Sequence, residues 1–413
     1  MVETPAEAAR PQRLIFVNRF FAPDLSATSQ ILTDLCRALA LRGFEQHVVT
    51  SRLRYESAGA QLSAEEDRDG AHVHRVATTG FGRGSMPGRA ADYASFLWSA
   101  RREVSRLARP RSIVIAKTDP PMLQSWIAGA VKHGPFVCWV QDLFPEVAEA
   151  AGIRLARGIP GRAIRALRDR TFAGADAIVA VGDLMAERIR AMPGVRSHRV
   201  HVIPNWADGA QLRPVEHSSN PLRSSWGLDG KFVVGYSGNL GRVHEFETTL
   251  RAAQLLRSNA AIRFHFVGAG HYMRYVQREV EKARLTNVSF APYQPRESLS
   301  LSLSAVDLHL CTLDPKFEGL VVPSKLYGIM AAGRPVLFVG AANGEVGRVL
   351  DRHAIGFTVA PGDATALAGA IESIAGDAEQ ARTMGASARA LFEAEYDLPV
   401  AAARWERLLT AIG

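Results

Sequence analysis

Three short segments in the second half of the chain combine glycines, hydroxyls and cations in a way that suits phosphate. The first, Ser237-Gly238-Asn239-Leu240-Gly241-Arg242, directly follows the apolar run Phe232–Tyr236. Gly238 and Gly241, either side of Asn239, let the backbone approach a ligand closely, and the helix expected next offers free N–H groups to an anion. Arg242 adds a fixed charge suited to a pyrophosphate. The second segment, Phe266-Val267-Gly268-Ala269-Gly270, ends the next apolar run. Gly268 and Gly270 imitate a dinucleotide fingerprint, but its third glycine is missing. The segment is also not the first strand-to-helix turn of its half, which argues against a nicotinamide cofactor.

The third segment, Glu318-Gly319-Leu320-Val321-Val322-Pro323-Ser324-Lys325, runs into Leu326-Tyr327-Gly328-Ile329-Met330-Ala331-Ala332-Gly333-Arg334-Pro335. Pro323 fits the first turn of a helix. Ser324 and Lys325 then stand where N–H groups point outward, so a phosphate meets backbone donors, the helix dipole and an ammonium together. Glu318, on the loop before, is placed to accept hydrogen bonds from sugar hydroxyls. His244 and His265 flank these loops, and His244 is placed to touch phosphate or sugar. His72 and His74 alternate along an expected strand with no third ligand at metal spacing, so no metal site is expected.

These segments need a scaffold that collects loops at one edge. The first half alternates apolar runs, Leu14–Val17, Gln46–Thr50, Val73–Val76, Ser112–Ala116, Phe136–Val140, Ala177–Ala180 and Val200–Ile203, with helical patterns such as Thr28–Leu41 closed by Arg42-Gly43. Apolar strands separated by helices imply a parallel sheet covered on both faces. The stretch 206–230, rich in Pro, Ser, Asn and Gly, reads as a linker. The pattern then restarts with Phe232–Tyr236, Arg263–Val267, Val288–Phe290, Val306–Cys311, Val336–Val339 and Gly356–Val359. The expected organisation is an N-terminal Rossmann-like domain at 12–205, a second at 231–397, and a helix at 398–413 whose stripe of Trp405, Leu408, Leu409 and Ile412 packs back on the first.

With 413 residues, two cores are the natural reading, and 47% hydrophobic with 22% charged residues is ordinary for a globular protein. Cys36, Cys138 and Cys311 are the three cysteines and show no CxxC spacing, which argues against disulfides or a cysteine-based zinc site and for a reducing cytosol. Residues 1–13 are polar, Leu14–Val17 is too short for a signal core, and no run approaches the ~18 apolar residues of a membrane span. The net charge of +8 is uneven: 28 basic and 20 acidic side chains precede Ala207, so the whole excess lies in the first half. A basic face suggests an anionic partner, while arginine-rich solvated helices would give the same count. Nucleic acid is the weakest such partner, because no aromatic stacking platform accompanies the charge.

Taken in order, the three loops with Pro-Ser-Lys and Ala-Ala-Gly-x-Pro-Val resemble the family-4 glycosyltransferases of the GT-B fold. Phe20-Phe21-Ala22-Pro23-Asp24 with Ser26-Ala27-Thr28-Ser29-Gln30, and Trp139-Val140-Gln141-Asp142-Leu143-Phe144-Pro145-Glu146, carry the same resemblance, in the flavour of the bacterial exopolysaccharide, O-antigen and colanic-acid group. It covers the chain from about Leu14 to Trp405. It implies two Rossmann-like domains with parallel sheets facing an inter-domain cleft, and a retaining transfer from an NDP-sugar co-substrate without an essential metal. Lys325 and Arg242 would neutralise the leaving diphosphate, Glu318 would contact the donor sugar, and Tyr293 and Gln294 would lie near the base. Asp119 and Asp142, with Ser26, Thr28, Ser29 and Gln141, would face the acceptor. The implied acceptor is a saccharide, lipid-linked, on the cytoplasmic side of a membrane.

The sequence departs from the family pattern at three positions. Gly328 stands where many members carry a second glutamate for the donor ribose, Glu318 is displaced by two residues from the usual first acid, and Gln141 replaces a common histidine. An amide binds a hydroxyl but is no general base. The segment Phe81–Arg111 sets Phe96, Leu97 and Trp98 beside Arg101, Arg102, Arg106 and Arg109, which fits either interfacial contact with anionic lipid or a helix packed on the sheet with arginines in solvent. Two other functions share the phosphate loops: an NDP-sugar 2-epimerase, and a degenerate GT-B partner protein.

Overall fold

The structure, a computed structural model, describes residues 13–54, 62–82 and 85–413. Fourteen strands are described: β1 (Leu14–Val17), β2 (Gln46–Ser51), β3 (Glu65–Arg68), β4 (Ala71–Val76), β5 (Ile113–Ala116), β6 (Phe136–Val140), β7 (Ala177–Ala180), β8 (Val200–Val202), β9 (Phe232–Asn239), β10 (Ile262–Ala269), β11 (Val288–Ala291), β12 (Leu308–Thr312), β13 (Val336–Val339) and β14 (Gly356–Val359). The α-helices are α1 (Ala27–Ala40), α2 (Met86–Leu107), α3 (Leu123–Ala128), α4 (Glu146–Ala150), α5 (Gly158–Gly174), α6 (Asp183–Arg190), α7 (Pro221–Ser225), α8 (Glu247–Leu255), α9 (Met273–Lys282), α10 (Leu299–Ser304), α11 (Lys325–Ala331), α12 (Glu345–His353), α13 (Ala364–Gly376), α14 (Ala378–Leu391) and α15 (Leu398–Ile412).

The chain divides into two units. The first runs to Pro204 and takes up Leu398–Gly413, and the second is Asn205–Asp397. In the first, the strand order is β3-β4-β2-β1-β5-β6-β7-β8. Runs such as LIFV and IVIA are buried at every residue, as a parallel strand covered on both faces requires. β3 is the exception to the expected parallel sheet, since it pairs antiparallel with β4. Its sequence, EEDR, has no apolar residue and so no period to detect, and its charges blunt the sheet edge. α1 lays Ile31, Leu32, Leu35, Cys36 and Leu39 against the sheet, and Gly43 at φ +83° turns the chain out of it. α15 packs on α1, with Trp405 fully buried edge-on to Trp139 at 4.7 Å.

The second sheet is wholly parallel, in the order β11-β10-β9-β12-β13-β14. Its core gathers Val234, Phe264, Phe266, Leu308 and Leu337 with the inner faces of α8, α9 and α13. The segment expected as a linker folds into this unit. The buried Arg223 guanidinium bonds Asp307 and the carbonyls of Ala305 and Lys231, and Asn220 bonds Leu301. Its polar composition reflects caps and buried polar anchors as well as turns. Among the parallel strands of each sheet the order reverses once, between β1 and β5 and between β9 and β12. Ligands of open α/β sheets bind beyond the strand C-termini at such points.

Candidate active site

Beside the switch point of the second unit, the ends of β9 and β10 bring glycines into close opposition. β9 and β10 extend through the segments read as loops, with Gly238 paired to Gly268 and Asn239 to Ala269. Gly238, Gly268 and Gly270 hold φ of +124°, +137° and +143°, a region that L side chains avoid. A Cβ on Gly268 would overlap the Gly238 carbonyl oxygen, and one on Gly270 would lie 2.5 Å from Asn239 Oδ1. The glycines therefore serve close backbone contact between the ends of the two strands.

Lys325 reaches over this floor, its Cε 4.0 Å from where a Gly238 Cβ would stand and its Nζ 3.5 Å from the centre of the Tyr236 ring. The ammonium is buried and makes no hydrogen bond. Burial pushes it down to about 7, and the nearby Cys311 pulls the other way. A desolvated cation against a ring face, with no ion pair among the described residues, is poised to take an anion. Arg242 is exposed and makes no ion pair among the described residues. His244 donates from Nδ1 to the Thr312 carbonyl at 2.6 Å, and burial followed by the Lys325 charge pushes its imidazole down to about 3.

Helix N-termini contribute less than the sequence suggested. The first turn of α8 is not free, because the Glu245 carboxylate accepts from Thr248 N–H at 2.9 Å. α11 is only seven residues long, with Ser324 as an N-cap whose side chain makes no capping bond. The lysine, rather than a long dipole, carries the positive charge there. Pro323 is buried and Val322 half-buried in the approach to α11, and Gly319 turns at φ +71°. Glu318 Oε2 accepts from Glu345 N–H at 3.2 Å, at the start of α12, and its carboxylate fills the space a Gly344 side chain would need. Gly328 packs against Leu303. Gly241 shapes the turn before His244, while Tyr293, 49% exposed, and Gln294 follow the edge strand β11.

In the first unit, a recess of about 210 Å³ lies beyond the ends of β5 and β6, lined by Thr28, Thr118, Asp119, Pro121, Gln141, Asp142, Phe144 and Val147. Asp24 Oδ1 accepts from Ser26 N–H at 2.8 Å and turns the chain into α1, whose Ser29 is fully buried. Thr28 Oγ1 bonds Asn18 at 3.3 Å. Asp142 keeps an open edge to the recess. Enclosure on its inner side and the Asp119 carboxylate push its carboxyl up to about 6, against the pull of Lys117.

Two residues here escaped the sequence reading. Lys117, fully buried, donates to the Thr28 carbonyl at 2.9 Å and lies 4.2 Å from the centre of the Trp139 ring; burial pushes it down to about 7, opposed by Asp119, Cys36 and Asp142. Arg168 bonds the Phe144 carbonyl and both Glu146 oxygens at 2.8 to 2.9 Å, pinning the loop that carries Asp142. A signal for Lys117 was present. The chain has six lysines among its 49 basic residues, and Lys117 directly follows a four-residue apolar strand.

The stripe on α2 divides. Phe96 is in the core, Trp98 is 67% exposed, and Arg101 bonds the Trp126 and Gly129 carbonyls at 2.8 and 2.9 Å. Arg101 is thus a clamp between α2 and α3, and Arg106 pairs with Glu103. Arg102 and Arg109 remain exposed, while Arg83 in the preceding loop lies outside the described residues. No described helix is long and apolar enough to cross a membrane, and no described His, Cys, Asp and Glu group is arranged to hold a metal. His47 joins the histidines of β4, 2.9 Å from His74.

Residues 27–206 match the family model of the glycosyl transferase 4-like domain, and residues 219–391 match glycosyl transferases group 1. "Probable glycosyltransferase WbjE" of Pseudomonas aeruginosa is 30% identical over 291 residues, covering 70% of this chain and 71% of that protein. Among solved structures, HepE of Anabaena in complex with UDP and glucose superposes with a TM-score of 0.72 at 16% identity, over 97% of this chain and 100% of HepE. WaaG, a glycosyltransferase involved in lipopolysaccharide biosynthesis, gives 0.70 at 14% identity, over 97% and 99%.

Proposed function

The chain belongs to the family-4, group 1 glycosyltransferases of the GT-B fold, and we propose that it is a retaining enzyme moving a sugar from an NDP-sugar to a lipid-linked saccharide in cell-surface polysaccharide synthesis. The observation that carries the donor side is Lys325: a buried ammonium that makes no hydrogen bond, standing over the Tyr236 ring and the glycine floor where β9 and β10 end. Lys325 and Arg242 neutralise the diphosphate as the anomeric C–O bond breaks, an electrostatic contribution that grows with the developing charge. HepE, which binds UDP and glucose, supports this reading, as does WaaG with its place in lipopolysaccharide synthesis.

The acceptor is assigned to the recess of the first unit, whose two carboxylates, amide and threonine hydroxyls suit sugar hydroxyls. Asp142, its carboxyl pushed up to about 6, accepts from an acceptor hydroxyl adjacent to the attacking one and leaves the proton of the attacking hydroxyl free. Gln141 positions that hydroxyl without taking its proton. The new bond forms on the face the diphosphate leaves, and the acceptor proton passes to the departing phosphate oxygen. Catalysis then rests on positioning and charge stabilisation. Trp98, Arg102 and Arg109 are assigned to contact with anionic lipid at the cytoplasmic face.

The test is a panel of UDP-, GDP- and dTDP-sugars, following thermal stabilisation and NDP release with and without a membrane lipid extract. Release that needs the lipid fraction supports the transferase. Interconversion of sugars without acceptor points to an epimerase instead, and absence of any nucleotide-dependent stabilisation refutes both.

A further inference from the structure

His244 is a histidine at the donor edge whose two ring nitrogens have separable fates. Its Nδ1 lies 2.6 Å from the Thr312 carbonyl, a group that only accepts, so Nδ1 carries the proton and Nε2 carries a lone pair. The ring stands edge-on to Tyr236, whose face also holds Lys325 Nζ. The two side chains thus share one aromatic neighbour while Lys325 Nζ bonds neither His244 nor any other group. Enclosure and the Lys325 charge both oppose a second proton on the imidazole.

A nitrogen lone pair repels the oxygens of a diphosphate diester, which carry no protons at neutral pH. Its partner must therefore be a hydrogen-bond donor. The sheet order says which donor. Tyr293, assigned to the base, follows β11 at the sheet edge, whereas His244 is bonded to the end of β12, on the opposite side of the β9 glycine floor. The same turn is tied to the Glu318 segment, since Asp314 N–H bonds the Val243 carbonyl at 2.9 Å. On the reading of this site as the NDP-sugar site, base and ribose lie toward β11 and the transferred sugar lies toward β12.

We propose that His244 reads the transferred sugar, accepting a hydrogen bond at Nε2 from one of its ring hydroxyls, and makes no contact with the phosphates. It is a specificity-determining residue, and it favours donors with a hydroxyl at that position, because a neutral acceptor left unpaired selects against a sugar that lacks the group.

Two variants test this. In His244→Asn the amide N–H occupies the place of Nδ1–H and keeps the bond to Thr312, while the Nε2 position is vacant. In His244→Gln the amide oxygen reaches the Nε2 position and restores an acceptor. Titration calorimetry compares UDP with UDP-glucose, GDP with GDP-mannose and dTDP with dTDP-glucose on the wild type, and the pair bound most tightly is carried to the variants. The expected result is an unchanged NDP affinity in both variants, an NDP-sugar affinity about five- to tenfold weaker in His244→Asn, and partial recovery in His244→Gln. Equal loss of NDP and NDP-sugar affinity in His244→Asn overturns the proposal, placing the imidazole on phosphate or ribose. So does unchanged NDP-sugar affinity in His244→Asn. A wild type that binds none of the six ligands overturns the donor-site reading itself.

Discussion

If Lys325 is the cation that receives the diphosphate, donor binding must be coupled to a proton. In the free protein the amine is held down at about 7 by burial. A bound diphosphate restores the charged form, so the bound-state value rises well above 7. The sign follows: between the two values the complex binds a proton that the free protein lacks, and affinity falls as pH rises through 7. At pH 6.5 roughly three-quarters of the free protein carries the proton, and at pH 8.5 about 3% does. That predicts a roughly 25-fold loss of affinity across the interval, about 2 kcal/mol. The ligand should be an NDP-sugar such as UDP-glucose, because a terminal phosphate monoester titrates near pH 6 and would mask the effect. Calorimetry in two buffers of different ionisation enthalpy, at pH 8, should report uptake of about 0.9 proton per donor bound. Lys325→Arg keeps the charge and removes the titration, so its affinity should be flat over the same range. An affinity independent of pH from 6.5 to 8.5, with heats independent of the buffer, would refute the reasoning.

Other perturbations follow from the same structure. Gly268→Ala forces a side chain at φ +137° against the Gly238 carbonyl, and should cost about 2 kcal/mol in urea unfolding together with most donor-dependent stabilisation; normal stability would show that the strand ends are not held together as described. Arg101→Ala should lower stability by about 1 kcal/mol by freeing two carbonyls at the end of α3, and leave liposome binding unchanged. Arg102→Ala with Trp98→Ala should do the reverse on anionic vesicles at low salt, and equal vesicle binding by both proteins would sink the lipid contact. His47, His74, His244, His265 and His309 are all held below the ordinary histidine value by burial. The unfolded chain therefore binds more protons below about pH 6.5, and Tm should fall steadily from pH 7 to pH 5; a flat profile would contradict their burial as neutral rings.

Much of this fold was legible because parallel strands announce themselves. Runs such as LIFV, AIVA and VLFV are apolar at every position, and helices with Gly at their ends separate them. The edge strand β3 was not legible, since a charged strand has no hydrophobic period. The loops Gly238, Gly268 and Lys325 were found by type and order, yet their geometry was not. Strand pairing continues through Asn239 and Ala269, and this depends on two glycines meeting across neighbouring strands. Helix dipoles were overestimated for a related reason: sequence shows where a helix begins but not that Glu245, two residues earlier, has folded back onto its first turn.

The signal with most left to give is the choice between the two basic side chains. This chain writes 43 of its 49 positive charges as arginine, so each of its six lysines stands where arginine was available and was not used. Two of the six, Lys117 and Lys325, end on a buried nitrogen over an aromatic face, and in both burial brings the amine to about 7. A guanidinium could not substitute at either place, because it sheds no proton under physiological conditions and its planar fork needs several acceptors where each pocket offers one or none. Lysine there lets the empty site relax toward neutrality and the occupied one recharge. On the proposed reading the group that recharges Lys325 is the donor diphosphate. At Lys117 the Asp119 and Asp142 carboxylates already oppose the loss of charge, so that the amine and the carboxylates of the recess set one another's proton affinity. Lys117→Met should then raise the Asp142 value further and shift the acidic limb of a transfer-rate profile to higher pH, whereas Lys117→Arg should not fold around a pocket with a single carbonyl acceptor. An acidic limb unmoved in Lys117→Met would separate the amine from the carboxylates and leave it a role only in holding Thr28.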